Sequence, residues 1–443
     1  MFSQRRDCAR RRTSFLCWQR KEAKKPALLP RLASQGSLRS SRPMAAGQTR
    51  IVARCSNKAQ PSPIGRCGTR RVRTGRKVKG NGKNNNKQNQ LSFCASVAPS
   101  QNPLELPQRP CDYAQGDGMR GNRVCPKSDK NVAMRIFISL AAYCEPHLAF
   151  TLEQIFSKAA LPERIFVGLI DQSHDDHAAW MAGKPWQRQV RHRQIDPALS
   201  EGVCWARHLA MQLHQGEEYF LQIDSHTFFF PGWDEALIDL HRQLEQRLPK
   251  PLISAYPPPF EFDADGDPMV RRAAASEVSI IVPEDGETLR PDCATLRFRA
   301  DWKAGADLAL GFHLAAGFIF AHSRFIAEVP YDRLLYFHGE EQNLALRAWT
   351  RGWDIVHPRQ DWIPLLHLYK QAGQDYASQH WSPAQEAARE IRWQTLAARS
   401  DARLLALVRG EIEGIYGLGD VRNLHQFAEF SGIDYRICQR ISR

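Results

Sequence analysis

Asp224, Ser225 and His226 follow directly on a short apolar run, YFLQI (219–223), and no other residues of the chain combine type and spacing so well for chemistry. In extended backbone, residues i and i+2 point to the same face. A carboxylate and an imidazole therefore aim together off the end of a strand. That pair suits Mn²⁺, Mg²⁺ or a similar divalent cation, with coordination positions left open for diphosphate oxygens. The chemistry such a cation supplies is neutralisation of the charge that develops on a departing nucleoside diphosphate. Taken by itself, Asp-x-His also fits an aspartate capping a turn beside an exposed histidine, so the surrounding elements have to decide.

The elements that would position the pair alternate between strand and helix. Residues 135–140 (RIFISL) read as a first strand, followed by 141–143, Pro146 and a helical stretch to about Lys158. Residues 164–170 (RIFVGLI) read as a second buried strand and 190–194 as a third, weaker one. Residues 202–215 have helical spacing, with Trp205, Leu209 and Leu213 about a turn apart, and 219–223 run straight into Asp224. Such alternation predicts an α/β fold with a mostly parallel sheet covered by helices, in which ligands lie beyond the carboxyl ends of the strands. Further on, 233–247 reads as a helix and 252–256 as a strand, and 257–291 as loops and hairpins of the kind that recognise acceptors. Residues 315–320 and 354–357 read as strands, and 340–351 as a helix closed by Gly352. From about Ser382, Ala-, Leu- and Arg-rich periodic segments predict a helical C-terminal extension, assigned to 376–443, after a catalytic domain at 134–375.

Composition divides the chain differently. Residues 1–133 carry 29 Lys and Arg against 6 Asp and Glu, net +23, whereas 134–443 carry 32 against 41, net −9. The overall pI near 9.4 is thus a property of the first third. That arm shows no sustained apolar periodicity and cannot bury enough surface to offset its ordering entropy. It reads either as a disordered basic arm that could touch nucleic acid or anionic lipid, or as a segment without function ahead of a start at Met134. We favour the second; no nucleic acid is expected for the globular part. Seven of the 11 cysteines lie in the arm, and Cys144, Cys204, Cys293 and Cys438 are scattered singly, against a zinc cluster or a disulfide scaffold. No apolar run approaches the ~18 residues of a membrane helix, and Met1 to Arg20 are too charged for a signal peptide. The expected location is cytoplasmic, with no integral membrane segment.

Several stretches carry a resemblance: SLAAY (139–143), LPERIFVGLIDQ (161–172), CWARHLAMQLHQGEEYFLQIDSHTFFFPGWDEALI (204–238), AAGFIF (315–320) and VPYDRLLYFHGEEQNLALRAWTRGWDIVHP (329–358). Over roughly 135–369 the chain resembles the glycosyltransferases that add α-linked N-acetylglucosamine to hydroxyproline. More distantly it resembles the polypeptide N-acetylgalactosaminyltransferases. The resemblance implies a GT-A fold and a UDP-sugar donor, and it implies transfer of N-acetylglucosamine from UDP-GlcNAc with retention onto a protein or glycan hydroxyl. It implies that Asp224 and His226 are metal ligands, with His367 of LLHLY as the third, and that Arg207 contacts the donor. Ser139, Ala141 and Tyr143 correspond to the loop receiving the nucleoside. Ala316 and Gly317 correspond to a strand lining the sugar pocket, where a missing side chain lets the donor approach. Gly339, Glu340 and Glu341 correspond to an element facing sugar and acceptor, with Glu340 the more sensitive of the two acids; a helix N-terminus also favours acids through its dipole alone. Trp233, Trp349 and Trp353 read as core or pocket wall. The basic arm has no counterpart in the family pattern, and 257–307 does not match a hydroxyproline-peptide site. Two other readings remain: a transferase for cell-surface polysaccharide or lipopolysaccharide sugars, and a non-enzymatic, basic-armed nucleic-acid-binding protein, whose binding would be salt-sensitive and depend on the arm.

Overall fold

The computed structural model describes residues 134–270, 277–369 and 379–441. The basic arm and the expected domain boundary at 375 lie outside them. Four strands open the fold: β1 (Ile136–Tyr143), β2 (Ile165–Gln172), β3 (Val190–Gln194) and β4 (Tyr219–Asp224). They are followed by β5 (Thr227–Phe229), β6 (Pro251–Ser254), β7 (Pro259–Phe262), β8 (Pro268–Val270), β9 (Glu277–Pro283) and β10 (Phe298–Ala304). After these run β11 (Leu308–Gly311), β12 (Phe318–His322), β13 (Asp354–Pro358) and β14 (Leu365–Leu368). The central sheet has eight strands in the order β11-β13-β6-β12-β4-β1-β2-β3. Pairing is parallel at β13-β6, β4-β1, β1-β2 and β2-β3 and antiparallel at the other junctions. The sheet is mixed but mostly parallel, as the strand–helix alternation predicts.

Continuous apolar runs in β1 and β4 follow from cover on both faces. Ile136, Ile138, Leu140 and Ala142 enter one core with the helices Leu148–Ser157 and Trp233–Glu245. Phe137 enters a second core, on the opposite face, with Phe220, Phe325 and Trp353. The helix Val203–Met211 lies along β1 and β2 on that second face. It starts where Gly202 takes φ +103°, and a Cβ there would lie 2.5 Å from the Tyr336 ring. Trp233 and Trp353 are fully enclosed and Trp349 nearly so, which makes all three core residues.

Two further regions lie beyond the central sheet. Within the stretch read as loops and hairpins, β7 pairs with β8, and β9 pairs over seven residues with β10, which lies beyond that stretch. The C-terminal helices Trp393–Val408 and Leu424–Ser431 share a third core with that hairpin and with the helix Glu340–Thr350, through Ile281, Phe298, Trp349, Leu404, Leu407 and Phe427. A short antiparallel pair, Ile433–Asp434 with Gln439–Arg440, closes the described chain. Among the described residues no helix is long and apolar enough to cross a membrane.

Candidate active site

The carboxyl end of β4 meets β5, β12 and β14 around a cavity of about 380 Å³. β4 ends on Asp224, and β5 turns away to pair with β14, which sets His367 opposite Thr227. One carboxylate and two imidazoles converge there: the ligand atoms of Asp224, His226 and His367 all lie within 4.8 Å of one another. His367 Nε2 is 3.0 Å from Asp224 Oδ2 and 3.1 Å from His226 Nε2. A Cβ on Gly317 would lie 2.8 Å from Asp224 Oδ2 and 4.0 Å from His367 Cδ2, so glycine keeps this corner open. The donor set and its clearance fit a divalent cation of the Mn²⁺ or Mg²⁺ kind.

Glu145 completes the arrangement, and no reading of the sequence singled it out. It is 5% exposed, and its Oε2 lies 2.9 Å from His226 Nδ1. An ionised carboxylate only accepts, so Nδ1 donates and the Nε2 lone pair is left facing Asp224 and His367. Carboxylates behind metal-ligating histidines fix tautomer and ring orientation in this way. The one sequence signal was an acid in an otherwise apolar stretch, two residues past Tyr143. The same side chain also accepts from the His147 amide at 3.1 Å, just ahead of the helix Leu148–Ser157.

Arg207, from the helix Val203–Met211, is almost fully buried and bridges two carboxylates. Its Nη2 donates to Asp224 Oδ1 at 2.5 Å, and its Nη1 donates to Glu340. Desolvation opposes charge on Asp224, but the Arg207 guanidinium and the His367 and His226 rings outweigh it, and the carboxyl is held well below its usual range. Burial pushes Glu340 up in spite of Arg207. Arg207 thus makes a buried ion pair and also lines the cavity. Glu340 and Glu341 open the helix Glu340–Thr350 from Gly339, which takes φ +83°. Neither is a simple exposed cap. Glu340 is 3% exposed against Arg207, and Glu341 Oε1 accepts from the Ala316 amide at 2.8 Å.

Ala141 and Tyr143 line the cavity beside Gln172 and Ser200. Ser139 does not belong to its lining. It is fully enclosed within β1 between Gly168 and Gln222, four residues short of the strand's end at Tyr143. The side chains on that face alternate correctly; depth along the strand is what excludes it. Over Tyr143 lies a segment the sequence did not connect with the site. Arg389 Nη1 donates to the Tyr143 hydroxyl at 2.9 Å, and that hydroxyl donates to Gln385 Oε1 at 3.0 Å. His380 Nε2 donates to the Ser200 carbonyl at 3.1 Å, so its Nδ1 accepts from the Tyr336 hydroxyl at 2.8 Å.

The family follows from the sequence match across this architecture: residues 135–183 and 177–436 match the profile described as Glycosyltransferase (GlcNAc). The chain belongs to that family. The match takes in β4 and the residues that line the cavity at its end. No curated protein matches the chain in sequence. Among solved structures it is similar to "GalNAc-T7 with UDP, GalNAc and Mn2+", at 15% identity and a TM-score of 0.41, over 67% of this chain and 55% of that one. It is also similar to S. aureus TarS 1-349 in complex with UDP-GlcNAc, at 14% identity and a TM-score of 0.34, over 62% of this chain and 71% of that one. The glycosyltransferase thus spans little more than half of the GalNAc-T7 chain.

Proposed function

We propose that this glycosyltransferase moves N-acetylglucosamine from UDP-GlcNAc to a protein or glycan hydroxyl, with retention, using a divalent cation held by Asp224, His226 and His367. The observation that carries the reading is the convergence of those three side chains at the open end of β4, backed by Arg207 and Glu145. Donor and stereochemistry rest on the family and on the resemblance of the motifs. A bound Mn²⁺ or Mg²⁺ would supply Lewis-acid neutralisation of the diphosphate. Arg207 holds Asp224 ionised and aimed, and Glu145 holds the His226 lone pair forward. Ala141 and Tyr143 receive the nucleoside, Gly317 admits the sugar, and Glu340 and Glu341 bound the sugar and acceptor side. In the transfer, the bond from the anomeric carbon to the diphosphate oxygen breaks. A bond to the acceptor oxygen forms on the same face, and the acceptor proton passes to the departing diphosphate. The catalytic domain is taken as 134–375, with 376–443 as its C-terminal extension.

UDP release from a panel of nucleotide sugars, with EDTA and with Mn²⁺ or Mg²⁺, tests this directly. UDP-GlcNAc is expected to be hydrolysed, EDTA to abolish the release and metal to restore it. Asp224→Asn and His226→Ala are each expected to lower the rate by at least ~10²-fold, the scale of one lost transition-state charge contact. Full activity in EDTA would remove the metal from the reading.

A further inference from the structure

His313 lines the cavity near Glu341, and no motif had drawn attention to it. It is 2% exposed, with its ring stacked on Phe298 at 3.6 Å between centroids and 7° between planes. That stacking leaves the imidazole little freedom to turn. Its Nε2 is enclosed and has no hydrogen-bond partner among the described residues. Glu341 Oε2 lies 3.7 Å from it, too far for a direct hydrogen bond. Burial pushes the imidazole below its usual pKa, which keeps it neutral and leaves no ion pair to close the gap. Buried polar atoms are seldom left unsatisfied, and this one is enclosed in the wall of a substrate cavity.

The two groups differ in what they can do. With its proton on Nε2 the imidazole donates, whereas the carboxylate only accepts. A single oxygen about 2.8 Å from each, the usual hydrogen-bond length, closes a triangle on their separation. A ligand hydroxyl satisfies both, taking the place a water can hold in its absence, because it accepts from the imidazole and donates to the carboxylate; a carbonyl cannot donate and an amide N–H cannot accept. Its position points to the donor rather than the acceptor. Glu341 is anchored on the amide of Ala316, and the next residue, Gly317, is the one that opens onto Asp224 Oδ2.

We propose that His313 and Glu341 form a hydroxyl-reading pair for one ring hydroxyl of the donor sugar, with His313 donating to that oxygen and Glu341 accepting from it. This rests on the assignment of the Asp224 end to the donor diphosphate. The test compares His313→Phe, which keeps the stack and removes Nε2, with His313→Gln, which returns an N–H. Binding of UDP, of UDP-GlcNAc and of UDP-GlcNAc analogues deoxygenated at C3, C4 or C6 is measured for each variant and the wild type, together with Tm. His313→Phe is expected to keep or raise Tm, since it replaces an unsatisfied polar atom by an apolar one, and to bind UDP unchanged. Its affinity for UDP-GlcNAc is expected to fall about tenfold, with partial rescue by His313→Gln. One deoxy analogue is expected to bind wild type and His313→Phe alike. Unaltered UDP-GlcNAc affinity in His313→Phe, or an equal loss for all three analogues, overturns the inference while the donor site stands. A marked fall in Tm overturns it too, because Nε2 would then have a partner inside the protein. A wild-type protein that binds no UDP overturns the donor-site assignment and the inference together.

Discussion

Glu145 and the acid pair show how much a residue's role depends on what it touches. Glu145 both orients His226 and accepts the His147 amide, so two substitutions separate those duties. Glu145→Ala is expected to weaken Mn²⁺ binding by ~10–100-fold, the usual effect of losing a carboxylate behind a ligating histidine. Glu145→Gln keeps an acceptor for both bonds and should lose less, and titration of Mn²⁺ into each variant reads the difference. Unchanged affinity in both would leave Glu145 with a purely structural place at the helix start. The acids 340 and 341 divide similarly. Glu340→Gln removes the charge opposite a buried guanidinium and should lower stability and activity together, since breaking a buried pair costs about 3–5 kcal/mol. Glu341→Gln should keep its Tm and lose kcat/KM by roughly 10- to 150-fold, the range for one charge-assisted hydrogen bond. Equal behaviour of the two variants in Tm and kcat/KM would refute the division. The dipole preference for acids at a helix start, visible in the sequence, accounts for neither contact.

Strand ends and the turns that follow them bring the site together. β4 delivers Asp224, the turn into β5 swings His226 beside it, and β14 brings His367 from 141 residues away. The turn into β12 closes the corner with Gly317, a residue that has no side chain. Gly317→Ala would put a Cβ 2.8 Å from Asp224 Oδ2, and the carboxylate must move. Displacements of about 1 Å at a reacting centre can cost about 10²-fold, so kcat and Mn²⁺ affinity are both expected to fall while Tm holds. A Gly317→Ala enzyme with wild-type kcat would mean that the corner is not used. The strands around β4 were legible as apolar runs because both faces are covered. β10 was not, because its burial fades along its length and its residues FRADWKA mix charge with aromatics at the edge of a two-stranded hairpin.

For the whole molecule, buried neutral histidines set the acid response. Burial pulls His241, His357 and His380 down to about 4. Between pH ~6.5 and ~4 the unfolded chain binds protons on these residues that the folded chain refuses, so stability rises with pH across that window and is lost as pH falls through it. Each contributes a slope of about 1.4 kcal/mol per pH unit in mid-window. Urea midpoints are therefore expected to drop steeply from pH 7 to pH 5, and a flat profile would contradict neutral burial of these rings. The family match begins at residue 135, and the basic surplus lies before it. A chain starting at Met134 is expected to fold and to bind UDP; circular dichroism and UDP titration check this, and an unfolded product would make the arm integral.

The sequence by itself determined the layered α/β fold, because period and burial of apolar residues are local properties written into each run. It also picked out the Asp224–His226 pair by residue type and spacing, although the bend after β4, and not a shared strand face, is what sets the two side by side. Tertiary structure alone decided the rest. Spacing along the chain carries no information about which side chain comes to stand behind His226, which carboxylates Arg207 bridges, or that 379–389 reaches back over Tyr143. Ser139 and His313 mark the two sides of that limit. The strand pattern gives Ser139 the right face but not its depth, and nothing in the pattern around His313 announces a buried nitrogen left without a partner in the cavity wall.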